Sequence, residues 1–326
     1  MSKKEVDYVI EVKELVKSFG ALIAVDNLSF SVKKNKIFGL LGSNGAGKTT
    51  TMNILTGLLI PDKGTVKILG LDIKKDIEKI RKHISLVPQT NSLFESLTVY
   101  ENIEFFGGMY IKKSDELKKS VDGIIKSLKL DKIKDSLISK LSGGYKRICS
   151  IACALVHNPK ILILDEPLVG IDIHSNELII DLIKKMGDVT IIFTTHSIKE
   201  AEAVCDYILF MQDGKMLIEG TPKEITTNFS KHIGESVVIE FDRTIDTNKA
   251  KILLKKAGFK IKEIKLEGNT LSFETKDLGN TIVGVIDSLK SLKKHILNID
   301  IYKPDLRKIF DYLMKNENIK GSKKRV

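Results

Sequence analysis

The chain has 326 residues, long enough for two domains and a full apolar core. Its 53 Lys and Arg exceed its 42 Asp and Glu, giving +11 at pH 7, and three cysteines are too few for a disulfide framework. No apolar stretch approaches the roughly 18 residues of a membrane span, and Met1-Ser2-Lys3-Lys4-Glu5 has no apolar region behind it, so neither a span nor a signal peptide is expected. The expectation is a cytoplasmic chain that meets a membrane only through another chain. Residues 235–326 hold 20 Lys and Arg against 13 Asp and Glu. That basic excess suits an anionic membrane face, nucleic acid, or simply a solvated lysine-rich surface. Cys149, Cys153 and Cys205 read as small core residues in a reducing compartment.

In chain order, Tyr8 to Leu15 and Val25 to Val32 alternate as antiparallel strands. Lys36 to Leu41 is a short buried strand, and Thr49 to Thr56 begins a helix. After the turn Pro61-Asp62-Lys63-Gly64 come strand 65–69, a charged helix over 76–82 and strand 84–87. Residues 98–130 are helical by period, with a bend expected at Gly107-Gly108. A helix runs from Lys146 to about His157, and Ile161 to Leu164 reads as a strand buried on both faces. A helix over 176–186, strand 189–194 and helix 197–204 continue the alternation. Asp213-Gly214 marks a hairpin, and a helix from Thr221-Pro222 ends near Phe229. Beyond Gly234 the predicted order is strand 236–241, helix 247–257, strands 259–266 and 270–274, helix 281–292 and strand 296–302, the split βαβ plan. A helix over 304–314 and a basic tail from Lys320 follow.

Between the strand at 36–41 and its helix lies Gly42-Ser43-Asn44-Gly45-Ala46-Gly47-Lys48-Thr49-Thr50, which fits G-x-x-x-x-G-K-[ST]. Its glycines let backbone N–H groups close on phosphate oxygens at a helix N-terminus. Lys48 would reach the β- and γ-phosphates, and Thr49 would offer its hydroxyl to Mg²⁺. The strand at 161–164 ends in Asp165, a carboxylate that would hold Mg²⁺ through its shell, and then Glu166, placed to orient or deprotonate an attacking water. An N-cap pair is the plainer reading of Asp165-Glu166, and Pro167 disfavours it. Leu141-Ser142-Gly143-Gly144 opens a helix and forms either a second anion-binding end or an ordinary cap. Gln89 and His196 each follow a strand end, where an amide can reach Mg²⁺ or water and an imidazole the γ-phosphate. His83, His157, His174, His232 and His295 lack such a setting.

Together with the Gly170-Ile171-Asp172 turn, these motifs resemble the ATP-binding-cassette (ABC) ATPase family in order and spacing over residues 8–230. The resemblance implies an α/β P-loop NTPase of ABC type: a mixed sheet core, an antiparallel β subdomain and a helical subdomain. It implies ATP and Mg²⁺ as cofactors. By position, Phe19 matches the aromatic that stacks on adenine, and Lys48, Thr49, Gln89 and Asp165 match the phosphate and Mg²⁺ groups. Glu166 matches the catalytic base and His196 the switch histidine. Ser142, Gly143 and Gly144 match the signature that closes on ATP bound by an opposite subunit. Two positions depart from the pattern: Tyr145 replaces the usual glutamine after the signature, and Phe19 stands where tyrosine is common.

Thr49 to Leu58 and the ending Asp305-Leu306-Arg307-Lys308-Ile309-Phe310 look like the ATPase subunits of drug, antibiotic and lipid exporters. The implied organisation is an ATPase domain over 1–230, a small ferredoxin-like α/β domain over 235–316 and a tail over 317–326. The implied partners are integral membrane permease subunits on separate chains and a second ATPase, identical or paralogous, with the complex on the cytoplasmic face of the membrane. The segment Thr90 to Tyr100, with Leu93, Phe94 and Leu97, is where the family docks a helix of the membrane subunit. The alternative is a soluble ABC ATPase acting on nucleic acid or ribosomes. Against it stand the single cassette and the lack of a long heptad run or a Cys-x-x-Cys pair.

Overall fold

The computed structural model describes residues 8–90, 92–246, 252, 261–289 and 295–315. The chain divides into two compact units, Met1–Glu219 and Gly220–Val326.

In the first unit, β1 (Tyr8–Phe19) and β2 (Leu22–Lys33) pair antiparallel, and β4 (Lys63–Ile68) and β5 (Leu71–Asp72) extend the sheet in the order β2-β1-β4-β5. The hairpin is longer than its alternation suggests. Lys17 and Ser18 stay in the strand because Lys17 Nζ and the Ser18 N–H both donate to the Asp62 carboxylate, at 2.9 and 2.7 Å. The second sheet contains β3 (Ile37–Gly42), β6 (Ile84–Val87), β7 (Ile161–Asp165), β8 (Thr190–Thr195), β9 (Tyr207–Gln212) and β10 (Lys215–Gly220). Its order is β10-β9-β3-β8-β7-β6, with β9, β3, β8, β7 and β6 parallel. All six residues of β8 and the first four of β7 are buried, as expected where both faces of a parallel sheet are covered. A parallel sheet gathers its carboxyl ends on one side. Gly42, Val87, Asp165 and Thr195 therefore end their strands together, the usual place for a ligand in an open α/β sheet.

Helix α1 (Lys48–Leu55) follows the glycine loop, and the charged stretch forms α2 (Ile77–Arg81). The segment expected as one bent helix is two, α3 (Val99–Gly108) and α4 (Ser114–Ser127). The chain breaks after the glycine pair, and Gly107 lets the two approach: a β-carbon there would stand 2.7 Å from Leu117 Cδ1. Helix α5 (Gly143–Leu155) starts three residues earlier than its apolar period, because Ser142 already accepts the Tyr145 N–H as N-cap. Helix α6 (Ile173–Lys185) likewise starts early, at an Asp172 cap that accepts the Ser175 N–H at 2.9 Å. Helix α7 (Ile198–Val204) is capped by Ser197.

The second unit begins with α8 (Pro222–Ile233), opened by a Thr221–Glu224 capping box. By its contacts this helix groups with the second unit, where Phe229 meets Tyr312 of the helix Leu306–Lys315 at 6.5 Å between ring centroids. Strands β11 (Glu235–Phe241), β12 (Ile261–Glu267), β13 (Thr270–Thr275) and β14 (Ile296–Tyr302) form a fully antiparallel sheet in the order β12-β13-β11-β14. That is the strand order of the split βαβ plan. Val237, Ile239, Phe241, Leu271 and Phe273 pack its core with Val285 and Leu289 of the helix Leu278–Leu289. The helix expected over 247–257 lies, apart from Ile252, outside the described residues, as does the basic tail.

Candidate functional site

Strand β3 delivers the chain into the glycine loop with no room to spare. A β-carbon on Gly42 would strike the Met211 carbonyl oxygen of β9. Gly45 and Gly47 have φ of +81° and +98°, a region that disfavours side chains. Helix α1 then starts with no side-chain cap and no acidic residue in its first turn. Its N-terminal amides and positive dipole end are left for an anion. The Lys48 side chain folds back over this loop, only 5% exposed. Its Nζ donates to the carbonyls of Gly42 and Ser43, at 2.8 and 3.1 Å, and lies 3.5 Å from Glu166 Oε1.

The acidic pair stands at the end of β7, beside β8. Thr194 on β8 joins both members: its hydroxyl donates to Asp165 Oδ1 at 2.6 Å and accepts the Glu166 N–H at 2.9 Å. Glu166 has φ of +44°, an uncommon conformation for a side-chain-bearing residue. The turn puts its carboxylate between the Lys48 ammonium and the His196 ring. Oε1 faces Lys48, and Oε2 lies 3.2 Å from His196 Nδ1. Lys48, Glu166 and His196, far apart in sequence, thus form one chain of contacts.

These groups line a cavity of about 660 Å³. Its polar end carries Asn44, Gly45 and Gly47 to Thr50 of the loop, with Gln89, Glu166 and His196. Its other end is Phe19, Leu22 and Ile23, all about half or more exposed. A polar end rich in donors and an apolar end with an open aromatic face suit a nucleotide whose phosphates and base differ in the same way. Lys17 Nζ sits 5.5 Å from the centre of the Phe19 ring and adds positive charge there. Val169 and Asp213 also line the cavity, Asp213 having stood out in the sequence only as a hairpin residue. The Thr49 hydroxyl, Gln89 amide and Asp165 carboxylate are hard oxygen donors, the set that Mg²⁺ takes together with phosphate oxygens and water. Among the described residues no group of three His, Cys, Asp or Glu could hold a metal by itself. Thr49 and Gln89 line the cavity, and Asp165 does not.

Ser142, Gly143 and Gly144 do not line this cavity. Ser142 and Gly143 are exposed, and Tyr145 beside them is 45% exposed, so the replaced glutamine position disturbs no core. Gly144 is buried where a β-carbon would strike Ser175 of α6. Arg147, not expected from sequence, is 2% exposed and donates to the carbonyls of Pro88 and Gln89. Burial pushes its pKa down, and the Asp165 carboxylate opposes the shift. The one signal available was a cation on the otherwise apolar inner face of α5.

The family model described as ABC transporter matches residues 25–169. The chain is 36% identical over 224 residues to the Nod factor export ATP-binding protein I of Sinorhizobium fredii, covering 68% of this chain and 65% of that protein. It is 36% identical over 234 residues to the linearmycin resistance ATP-binding protein LnrL of Bacillus subtilis, covering 71% of this chain and 74% of that protein. A solved dimeric ATP-binding cassette in a post-hydrolysis state with ADP and Pi is similar with a TM-score of 0.58 and 27% identity, covering 65% of this chain and 98% of that one. The chain belongs to the ABC transporter family.

Proposed function

We propose that the chain energises an exporter from the cytoplasmic face of a membrane, as a dimer with a second ATPase subunit, bound to integral membrane permease subunits on separate chains. The observation that carries this reading is the placement of Glu166 between Lys48 and His196 in a cavity that the signature residues do not reach. Each site then has the means to hold and cleave ATP but lacks its lid, and a second copy supplies Ser142 and Gly144. The names of both curated relatives, one for export and one for resistance, favour transport over work on nucleic acid. No helix among the described residues is long and apolar enough to cross a membrane, so the spanning falls to the partner in this reading.

In the reaction, the α1 amides and Lys48 hold the β- and γ-phosphates, and Phe19 stacks on the base. Mg²⁺, held by Thr49, Asp165 and Gln89, would neutralise charge building on the phosphate oxygens. Glu166 accepts a proton from the attacking water, and His196 contacts the γ-phosphate from the other side. ATP and water become ADP and phosphate, and loss of the bridging γ-phosphate releases the two subunits. The motion passes to the membrane through the segment after Gln89. There a cleft of about 280 Å³, lined by Leu93, Phe106, Met109 and Tyr110, suits an apolar segment of the permease. Phe94 and Phe105, packed edge to face at 4.8 Å, stand exposed beside Phe106.

Mixing two inactive variants tests the shared site. Ser142→Arg puts a bulky cation where the partner's nucleotide should sit, and Lys48→Ala disables the loop. A mixed dimer keeps one site with an intact loop and an intact signature. Mixing should restore hydrolysis, up to about half per mixed dimer where one good site suffices. Efficient hydrolysis by a Ser142→Arg protein held as a monomer would overturn the shared site.

A further inference from the structure

Two consecutive residues in the first turns of α5 leave the helix toward the same stretch of chain. The Arg147 guanidinium donates to the carbonyls of Pro88, at 2.6 Å, and of Gln89. Lys146 Nζ meets Glu95 Oε1 at 2.7 Å. Around the Lys146 contact, the Ser139 N–H donates to the Glu95 carbonyl at 3.2 Å and the Ile138 N–H to the Leu97 carbonyl at 3.0 Å. The segment 88–95 is thus fastened at both ends to the helix that Ser142 caps. A buried guanidinium is a costly choice for this job, since desolvation penalises the charge. Its Nε has no hydrogen-bond partner among the described residues. An apolar side chain of similar length would fill the space without that penalty, but it would let go of the Gln89 backbone.

We propose that Arg147 and Lys146 are positioning residues for ATP hydrolysis, which lock the segment bearing Gln89 to the signature helix so that the two move as one piece. The proposal rests on the reading of Gln89 and of Ser142-Gly143-Gly144 given above. Its consequence is mechanical. Any displacement of α5 as the signature closes on a partner's nucleotide carries Gln89 with it. A permease segment seated in the cleft beside Phe94 pulls on the same piece of chain. Gln89 meets the reacting groups only when the signature helix is in its closed place.

The chain has no tryptophan, so Phe94→Trp, an aromatic exchange at a half-exposed position, places the sole tryptophan, excited apart from the tyrosines, within the fastened segment. In that background Arg147→Met should lower the reporter's anisotropy. It should also cut kcat by about tenfold or more while the ATP dissociation constant stays within about twofold. Arg147→Lys, with one charged donor, should fall between. In a Gln89→Ala background, Arg147→Met should cost nothing further, because both changes remove the same interaction. An unmoved reporter, kcat within about twofold of the parent, or additive losses would overturn the proposal. Should Arg147→Met fail to fold, the exposed pair decides. Lys146→Glu and Glu95→Lys should each lower kcat by about three- to fivefold, and the double exchange should restore it. Silent single variants, or an exchange without recovery, would overturn the proposal. Gln89→Ala with full turnover, beside an Arg147→Met variant that frees the reporter, would sink the reading of Gln89 and leave the lock standing.

Discussion

Glu166→Gln separates two jobs that one carboxylate holds in the nucleotide-free protein. Glu166 is the counter-charge of Lys48, whose ammonium is 5% exposed and 3.5 Å away. In the proposed reaction it also takes the proton from the attacking water. At that distance the bare attraction is about 5 kcal/mol for an effective dielectric near 20. Hydrogen bonding to a charged group nets less, about 1.5–3 kcal/mol. Removing the negative charge therefore leaves Lys48 under-compensated, and the nucleotide-free protein should lose about 1–3 kcal/mol of stability. ATP reverses the sign. Its phosphates no longer displace a carboxylate from Lys48, and they no longer approach one, so affinity should rise by roughly ten- to a hundredfold. Turnover should fall by roughly 10²–10⁴, because a carboxamide cannot accept the proton at neutral pH. The ATP-held dimer should accumulate. The assays are thermal unfolding with and without ATP·Mg²⁺, phosphate release and light scattering. The expected pattern is a lower Tm alone, a larger ligand-induced rise, no turnover and a dimer. Turnover near the parent value would remove Glu166 from the chemistry. Weakened ATP binding would show that its pairing with Lys48 does not compete with phosphate.

Lys48→Ala should weaken ATP by about ten- to a hundredfold with the fold intact, since the loop's shape comes from Gly42, Gly45 and Gly47 and not from the lysine. Calorimetric affinity equal to that of the parent would contradict this. Asn102→Ala should destabilise the first unit by about 1–3 kcal/mol, seen as a drop of several degrees in Tm. The Asn102 side chain, fully buried, accepts the Phe94 N–H at 2.8 Å and donates to the Phe94 and Thr98 carbonyls at 3.1 and 2.9 Å. Both carbonyls keep a backbone donor, Leu97 N–H and Asn102 N–H, so the Phe94 N–H is the group left unpaired. A Tm within about one degree of the parent would show that water replaces the amide.

The parts of the site legible in the sequence are those whose chemistry is written in neighbouring residues. Gly47 has to be glycine because φ there is +98° and the Ala24 carbonyl oxygen occupies the place of a β-carbon. Strand β7 had to be apolar on both faces, so Asp165 stood out where the run ended. What escaped depends on distance. Lys17 stayed in β1 through Asp62, 45 residues on. Arg147 acts on Pro88 and Gln89, 59 and 58 residues back, through carbonyl groups that every residue carries. No side-chain pattern marks an acceptor of that kind. The same limit explains the two helix starts set three residues late. Ile173 and the Gly143-Gly144 pair carry weak helical signals, and the caps Asp172 and Ser142 act through backbone N–H groups. Helix α5 joins the legible part to the hidden one. Five residues separate Ser142 from Arg147, which turns the helix by about 140° beyond one full revolution. Ser142 therefore opens to solvent, where a motif can be recognised. Arg147 points inward, where only the fold reveals what it holds. In the proposed dimer, a helix built this way would carry a signal from a partner's nucleotide at its exposed cap to the Gln89 backbone beneath it.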